Sequence, residues 1–322
     1  MVAKAKHISI IILLVLITVN TASAQQAPIF TQHSYSYAYS NPGFIGMSEG
    51  INIMGIYRQQ WAGFTDEDGN KIAPMTVLVS GDSPISVLHG GIGLSVVQDN
   101  IGFEKNTNVN LGYSFHIDLG NSTLGIGVTG GLLNRKTDFT KYKPINESDP
   151  VLSGLGEESK MMFDMSAGIF WQMPESVYVG ISATNLLQST SRALSENNES
   201  SASFITDRTF YLIAGYPFQF NALPNFKFEP SIEFLTNISA FQFNASFKAT
   251  YKNAFSLGVN YRHKESVGFM VGITIKDFVI GYAYDLNIMG LGIPGSHEIV
   301  LNYCFKLDFD KSPKDYRSVR FL

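Results

Sequence analysis

Only one cysteine, Cys304, occurs in the chain. No internal disulfide framework can therefore hold it together, and the thiol reads as an inert small side chain inside a strand. Charge is scarce as well: 16% of the residues are Asp, Glu, Lys or Arg, against roughly 25% in soluble domains. No stripe of basic residues occurs, and the net charge of −4 argues against a nucleic-acid partner. After residue 24 no run of eighteen apolar residues is found, which excludes helical membrane spans. Enzyme motifs are missing too, since there is no G-x-S-x-G, H-E-x-x-H or P-loop. Beyond residue 24 the histidines, His33, His89, His116, His263 and His297, lack metal-ligand spacing. No nucleophile and base can be paired by spacing. The chain reads as a non-enzyme with no catalytic residues, no metal site and no cofactor.

What is present begins with a targeting segment. Lys4 and Lys6 precede the apolar run "ISIIILLVLITV" (Ile8 to Val19), and Ala22-Ser23-Ala24 supplies an A-x-A site. That order predicts a secretory signal peptide over 1–24, and with no Cys after the site a lipid anchor is not expected there. Removing 1–24 takes Lys4 and Lys6 and no acid, leaving 21 basic and 27 acidic residues, a net charge of −6. The rest is 45% hydrophobic and 13% aromatic over the whole chain. A secreted chain that is apolar, aromatic and free of helical spans can occupy a membrane as a closed β-barrel.

Such a barrel demands segments of about ten residues in which lipid-facing and lumen-facing positions alternate. In 107–118, Thr107, Val109, Leu111, Tyr113, Phe115 and Ile117 interleave with Asn108, Asn110, Gly112, Ser114, His116 and Asp118. Segments 241–251 and 298–306 alternate in the same way. This period predicts strands near 50–60, 73–80, 90–98, 106–118, 122–135, 161–172, 176–187, 207–216, 225–235, 239–251, 253–263, 266–275, 277–286 and 297–306. Connections after even strands are mostly minimal, as at 119–121 and 173–175, whereas 61–72, 136–160, 188–206 and 287–296 follow odd strands. The expectation is an all-β transmembrane outer-membrane β-barrel of about 14 antiparallel strands, with both termini periplasmic and the long polar loops outside. A secreted sandwich also alternates, but it would have to bury every one of these apolar faces.

Some local features fit that frame. In "NPGFIGMSEGINIMGIYRQQWAGF" (Asn41 to Phe64), alternation puts Arg58 and Gln60 on the lumen side, where a charge can be paired, and Trp61 at the far interface. "GIGVTG" (Gly125 to Gly130) matches G-x-G-x-x-G, yet no helix follows it. It reads as glycine facing a crowded lumen, with Leu124, Ile126 and Val128 on the other side. Glu229 and Glu233 share an inward face near inward-pointing Lys227, Lys248 and Arg262, which predicts mutual neutralisation inside the barrel. "TDEDGN" (Thr65 to Asn70) lacks the EF-hand pattern and reads as a solvated loop. The aromatics of 25–48 alternate only partly, so that segment is either an extension in the periplasmic mouth or a plug or docking element.

Whole segments also carry a family resemblance. "PIFTQHSYSYAYSNPGFIG" followed by "YRQQWAGF", then "APMT" with "GDSPI", "GGIGLSVVQDNIG", "YVGISATNLL", "GYPF" with "EPSIEF", "LGVNYR", and "IGYAYDL" with "GSHEIVLNYCF" run in order along the chain. Together they resemble the PorP/SprF family, outer-membrane proteins of the Bacteroidota type IX secretion system. The most specific parts are Asn41-Pro42, Tyr57-Arg58-Gln59-Gln60-Trp61 and Gly295-Ser296-His297-Glu298.

The resemblance implies a fourteen-stranded barrel in the outer membrane, without enzymatic activity, that serves protein secretion and, in gliding species, motility. Implied partners are the periplasmic ring and translocon components, the C-terminal domain of a secreted adhesin, and outer-membrane lipids. It also makes Asn41, Pro42, Tyr57, Arg58, Gln59, Gln60, Trp61, His297 and Glu298 family-signature residues and candidates for partner binding. The expected organisation is 1–24 signal peptide, 25–48 N-terminal periplasmic or plug segment, 49–306 barrel and 307–322 periplasmic tail. That tail follows the last strand, so a barrel-insertion signal would be read internally or at Phe321-Leu322. A passive porin or small-solute channel is the alternative function.

Overall fold

Alternating side chains commit each strand to one apolar and one polar face, and the only way to satisfy both in a bilayer is to close the sheet. The chain does so in a computed structural model that describes residues 27–66, 68–141, 156–192, 203–290 and 292–306. The expected signal peptide, the tail 307–322 and much of the loop 136–160 lie outside those residues, as does Glu67 of "TDEDGN".

The strands are β1 Gly50–Gln59, β2 Met75–Ile85, β3 Gly90–Ile101, β4 Glu104–Asp118, β5 Thr123–Asp138, β6 Glu157–Gln172 and β7 Tyr178–Thr184. A short hairpin of β8 Thr190–Arg192 and β9 Ser203–Ile205 stands apart from the main sheet. There follow β10 Thr209–Gly215, the two-residue β11 Phe218–Gln219, β12 Phe226–Thr236, β13 Phe241–Tyr251, β14 Phe255–Arg262, β15 Ser266–Ile275, β16 Phe278–Asn287 and β17 Ser296–Lys306. β10 pairs with both β7 and β12, and β17 returns to β1 antiparallel, so fourteen strands form a closed ring.

Every expected strand is found, and the boundaries differ for local reasons. β2 runs on through Gly81, Asp82, Ser83 and Pro84 rather than stopping at residue 80. Pairing of β1 with β2 ends at Asn52 and Asp82, so Pro84 has no neighbour on that side to which an N–H would be owed. β7 stops at Thr184, where Asn185 adopts a left-handed φ of 54°.

The outer face is a continuous apolar belt, including Ile53, Leu111, Ile181, Leu257, Val271 and Leu301, all exposed. In a bilayer these side chains meet lipid. Val271→Arg, near the middle of β15, is therefore expected to destabilise the barrel by about 2–4 kcal/mol, read as a lower unfolding midpoint in lipid vesicles. An arginine placed at either end of the same strand should cost far less.

β1 begins and β17 ends at one rim, which also carries the short connections 119–122, 173–177 and 276–277. The opposite rim is where β1, β5, β7 and β16 end, at Gln59, Asp138, Thr184 and Asn287, and the longer connections leave the wall. The separation is not complete. The two-residue turn Gly102-Phe103 sits among the long loops, and the ten-residue connection 216–225 among the short ones.

Candidate functional site

A barrel of this size is wider than its own wall side chains can fill, and residues 27–48 take up much of the space. This inner segment is a 3-10 turn His33–Tyr35, one turn of α-helix Tyr37–Ser40 and a second 3-10 turn Pro42–Phe44. Phe30 sits in an apolar cluster with Met54, Ile56, Leu78, Val97 and Val300, all inward-facing on β1, β2, β3 and β17. Tyr37 and Phe44 pack on Phe170 at the opposite wall. The segment therefore spans the lumen from wall to wall.

Its first anchor is polar and lies near the long-loop rim. Arg58, 4% exposed, donates from Nη2 to Asp285 at 2.7 Å and from Nη1 to Glu298 at 3.0 Å. Glu298, 1% exposed, also accepts the backbone N–H of Thr31 and of Gln32, each at 2.8 Å. Thr31 Oγ1 donates to Asp285 and accepts from Arg58 Nη1 at 2.9 Å. Arg262 completes the cluster, 3.7 Å from Asp285, while its Nε donates to Asn244 and its Nη1 to Glu265. Asn244 in turn donates to Glu233. Arg58, Arg262, Asp285 and Glu298 are tolerated inside a barrel because each is ion-paired and hydrogen-bonded, whereas Glu233 is held by the Asn244 amide.

Two further anchors hold the middle and the exit of the segment. Ser246 Oγ lies 3.2 Å from His33 Nε2, and Tyr37 Oη lies 3.1 Å from Tyr178 Oη, which donates to Glu229. Glu229 is ion-paired with Lys248 at 2.9 Å. Further along the segment, Ser182 Oγ on the inner wall donates to the Ser40 carbonyl and, closer to the short-turn rim, Ser114 Oγ to that of Gly43. Gly46 N–H reaches Asp82 at 2.9 Å, and His116 Nε2 sits 2.9 Å from the Ile45 carbonyl.

The wall is thinned where the segment leans on it. A Cβ at Gly125 would collide with the Gly43 carbonyl, and one at Gly127 with the carbonyl of Pro42 and, at 2.7 Å, with Gly43 N. The first two glycines of "GIGVTG" are thus lumen-facing clearances for another piece of the same chain.

The signature residues fall into three groups. Arg58 and Glu298 are cross-strand partners at the β1–β17 seam and join the buried cluster. Asn41 and Pro42 are buried on the inner segment. Asn41 accepts from Gly43 N–H at 2.8 Å and donates to the Ile169 carbonyl at 3.1 Å, so it caps the turn and ties it to β6. Asn41→Ala takes the acceptor from the buried Gly43 N–H and is expected to cost about 1–3 kcal/mol, measured as a lower thermal midpoint in detergent with unchanged strand content.

Tyr57, Gln59 and His297 point outward instead. Tyr57 Oη donates to Gln59, and the His297 ring lies against Tyr284 with its Nδ1 2.8 Å from Tyr282 Oη. Gln60 N–H bonds the Pro74 carbonyl, and Trp61, at φ 52°, packs edge-on to Phe64 at the start of the first long loop. Thr31 and Asp285 were not singled out by the sequence, whereas Arg262 was read as an inward charge to be neutralised, and it is paired with Glu265 and Asp285. Asp285 lies within the quoted "IGYAYDL", and its place in the strand period is the signal that marks it as inward.

Comparison with known proteins bears on the whole chain. The Pseudomonas aeruginosa FadL homologue matches with a TM-score of 0.47 at 13% identity, covering 84% of this chain and 94% of that one. The Acinetobacter baumannii outer membrane protein Omp33 matches with a TM-score of 0.45 at 7% identity, covering 80% and 98%. No curated protein matches the sequence. The family described as type IX secretion system membrane protein PorP/SprF matches over residues 22–303. With a closed, lipid-facing barrel and a family match over nearly all of it, this outer-membrane protein belongs to the PorP/SprF family of type IX secretion system membrane proteins.

Proposed function

We propose that the protein is a non-enzymatic docking component of type IX secretion. In this reading it tethers a secreted substrate, such as a gliding adhesin received through its C-terminal domain, and/or the periplasmic ring of the machine to the outer membrane. The short-turn rim faces the periplasm and the long loops face outward. The observation that carries the reading is the inner segment clamped by Arg58, Asp285 and Glu298. A lumen crossed and blocked by its own chain is poorly suited to solute flow, which leaves the rims and loops as the working surfaces. Signature residues buried in that clamp act on partners by fixing the shape of the barrel, whereas Gln60 and Trp61 lie where a partner can reach.

Deletion of the gene followed by proteomics of the medium and cell surface tests this. Loss of one adhesin identifies a dedicated partner, and loss of all substrates of the machine identifies a core component. An unchanged secretome overturns the proposal and favours the porin alternative.

A further inference from the structure

Beside the inner segment, along β2 to β7, the lumen keeps a cavity of about 410 Å³, within the usual range of ligand sites. It runs from Ile45 and Tyr39 on the segment to Ile101 and Glu104 at the long-loop rim. Cross-strand register sets Thr76, Asp99, Asn106 and Arg135 in one row across β2, β3, β4 and β5.

Most of the charge around this cavity is already satisfied. Arg135 is paired with Glu104 at 2.6 Å. Asp82 accepts from Gly46 and Asn52, and Asp164 from Met165, Leu187, Ser189 and Thr206. Asp99 is different. It is 8% exposed, and among the described residues its carboxylate receives one hydrogen bond, from Thr76 to Oδ1, and faces no paired cation. The Oδ1 atoms of Asn106, directly opposite, and of Asn108, two residues on, are buried and accept no hydrogen bond among the described residues. Tyr39 and Tyr211 add aromatic wall to the same cavity.

A carboxylate that holds a single hydrogen bond and no ion pair, with two amide carbonyls that lack donors and aromatic rings beside them, describes the complement of a cation with several N–H groups. We propose that the cavity binds a guanidinium or alkylammonium group, with Asp99 as its counter-ion and Asn106 and Asn108 as acceptors. The group belongs either to a free small cation or to an Arg or Lys side chain of a polypeptide entering from the long-loop rim. The proposal stands apart from the docking reading, because a binding measurement on the purified protein does not depend on the secretome.

The test is calorimetric titration of the full purified chain in detergent with agmatine, with spermidine and with a short Gly-Arg-Gly peptide, against N-acetylcitrulline amide and maltotriose as uncharged controls. The cations are expected to bind and the controls not. Preference for the small amines assigns a free cation, and preference for the peptide assigns a polypeptide side chain. Asp99→Asn is expected to weaken binding at least tenfold and Asn108→Asp to tighten it. Because the second variant adds charge where the first removes it, misfolding of either one leaves the other as the test. Absence of binding by all three cations, as a simply protonated Asp99 would give, overturns the proposal. So does equal binding of the uncharged controls, or insensitivity to both variants.

Discussion

Arg58→Ala is expected to lower the stability of the barrel by about 3–5 kcal/mol, the usual cost of removing one partner from a buried ion pair. The guanidinium serves two carboxylates and the Thr31 hydroxyl at once. Its loss leaves Asp285 and Glu298, both nearly inaccessible, with Arg262 as the remaining cation, 3.7 Å from Asp285. Glu298 must then hold the Thr31 and Gln32 amides without its own counter-charge. The substitution should therefore loosen the inner segment before it opens the wall, since the strand pairing of β1 with β2 and β17 uses backbone groups alone. Thermal unfolding in detergent measures the loss, and protease sensitivity between residues 27 and 48 measures the loosening. Arg58→Lys should recover only part of the effect, because an ammonium cannot fork between two carboxylates.

Gly127→Leu is expected to turn a closed barrel into a conducting one. The new side chain would occupy the space of the Pro42 carbonyl and Gly43 amide. Overpacking of this kind costs about 1–3 kcal/mol, and the inner segment is the softer party. The wall at Gly127 is held by ladders to Ser114 on β4 and Gly168 on β6, which a side chain does not disturb. Displacement of the segment leaves water in its place, and stepwise ion currents should appear in planar bilayers. Val128→Leu, one residue away on the lipid face, is the control and should stay closed.

The barrel was legible because its signal is periodic and repeated. Each strand must present apolar residues to lipid at every second position, so fourteen weak alternations add up to one architecture. The hairpin β8–β9 and the two-residue β11 were not legible, since three residues or fewer cannot display a period. The "GDSP" run of β2 is built of Gly, Asp and Pro, which favour turns, and its continued pairing with β3 through Ile85 makes it a strand.

For the candidate site, the inward direction of Arg58 followed from alternation, but its partners did not. Asp285 and Glu298 lie more than two hundred residues away and become neighbours only when β17 closes on β1. Residues 27–48 resist reading for a different reason. The segment makes short turns whose polar groups are satisfied by the wall, so its own sequence shows neither a strand period nor a helical one. Gly125 and Gly127 of β5 make sense only with that segment in place.

The central claim is that this chain blocks its own lumen. Single-channel recording of the unmodified full chain in a planar bilayer tests it directly: the account predicts a silent membrane at all moderate voltages, and steady, porin-like conductance from the unmodified protein would contradict it.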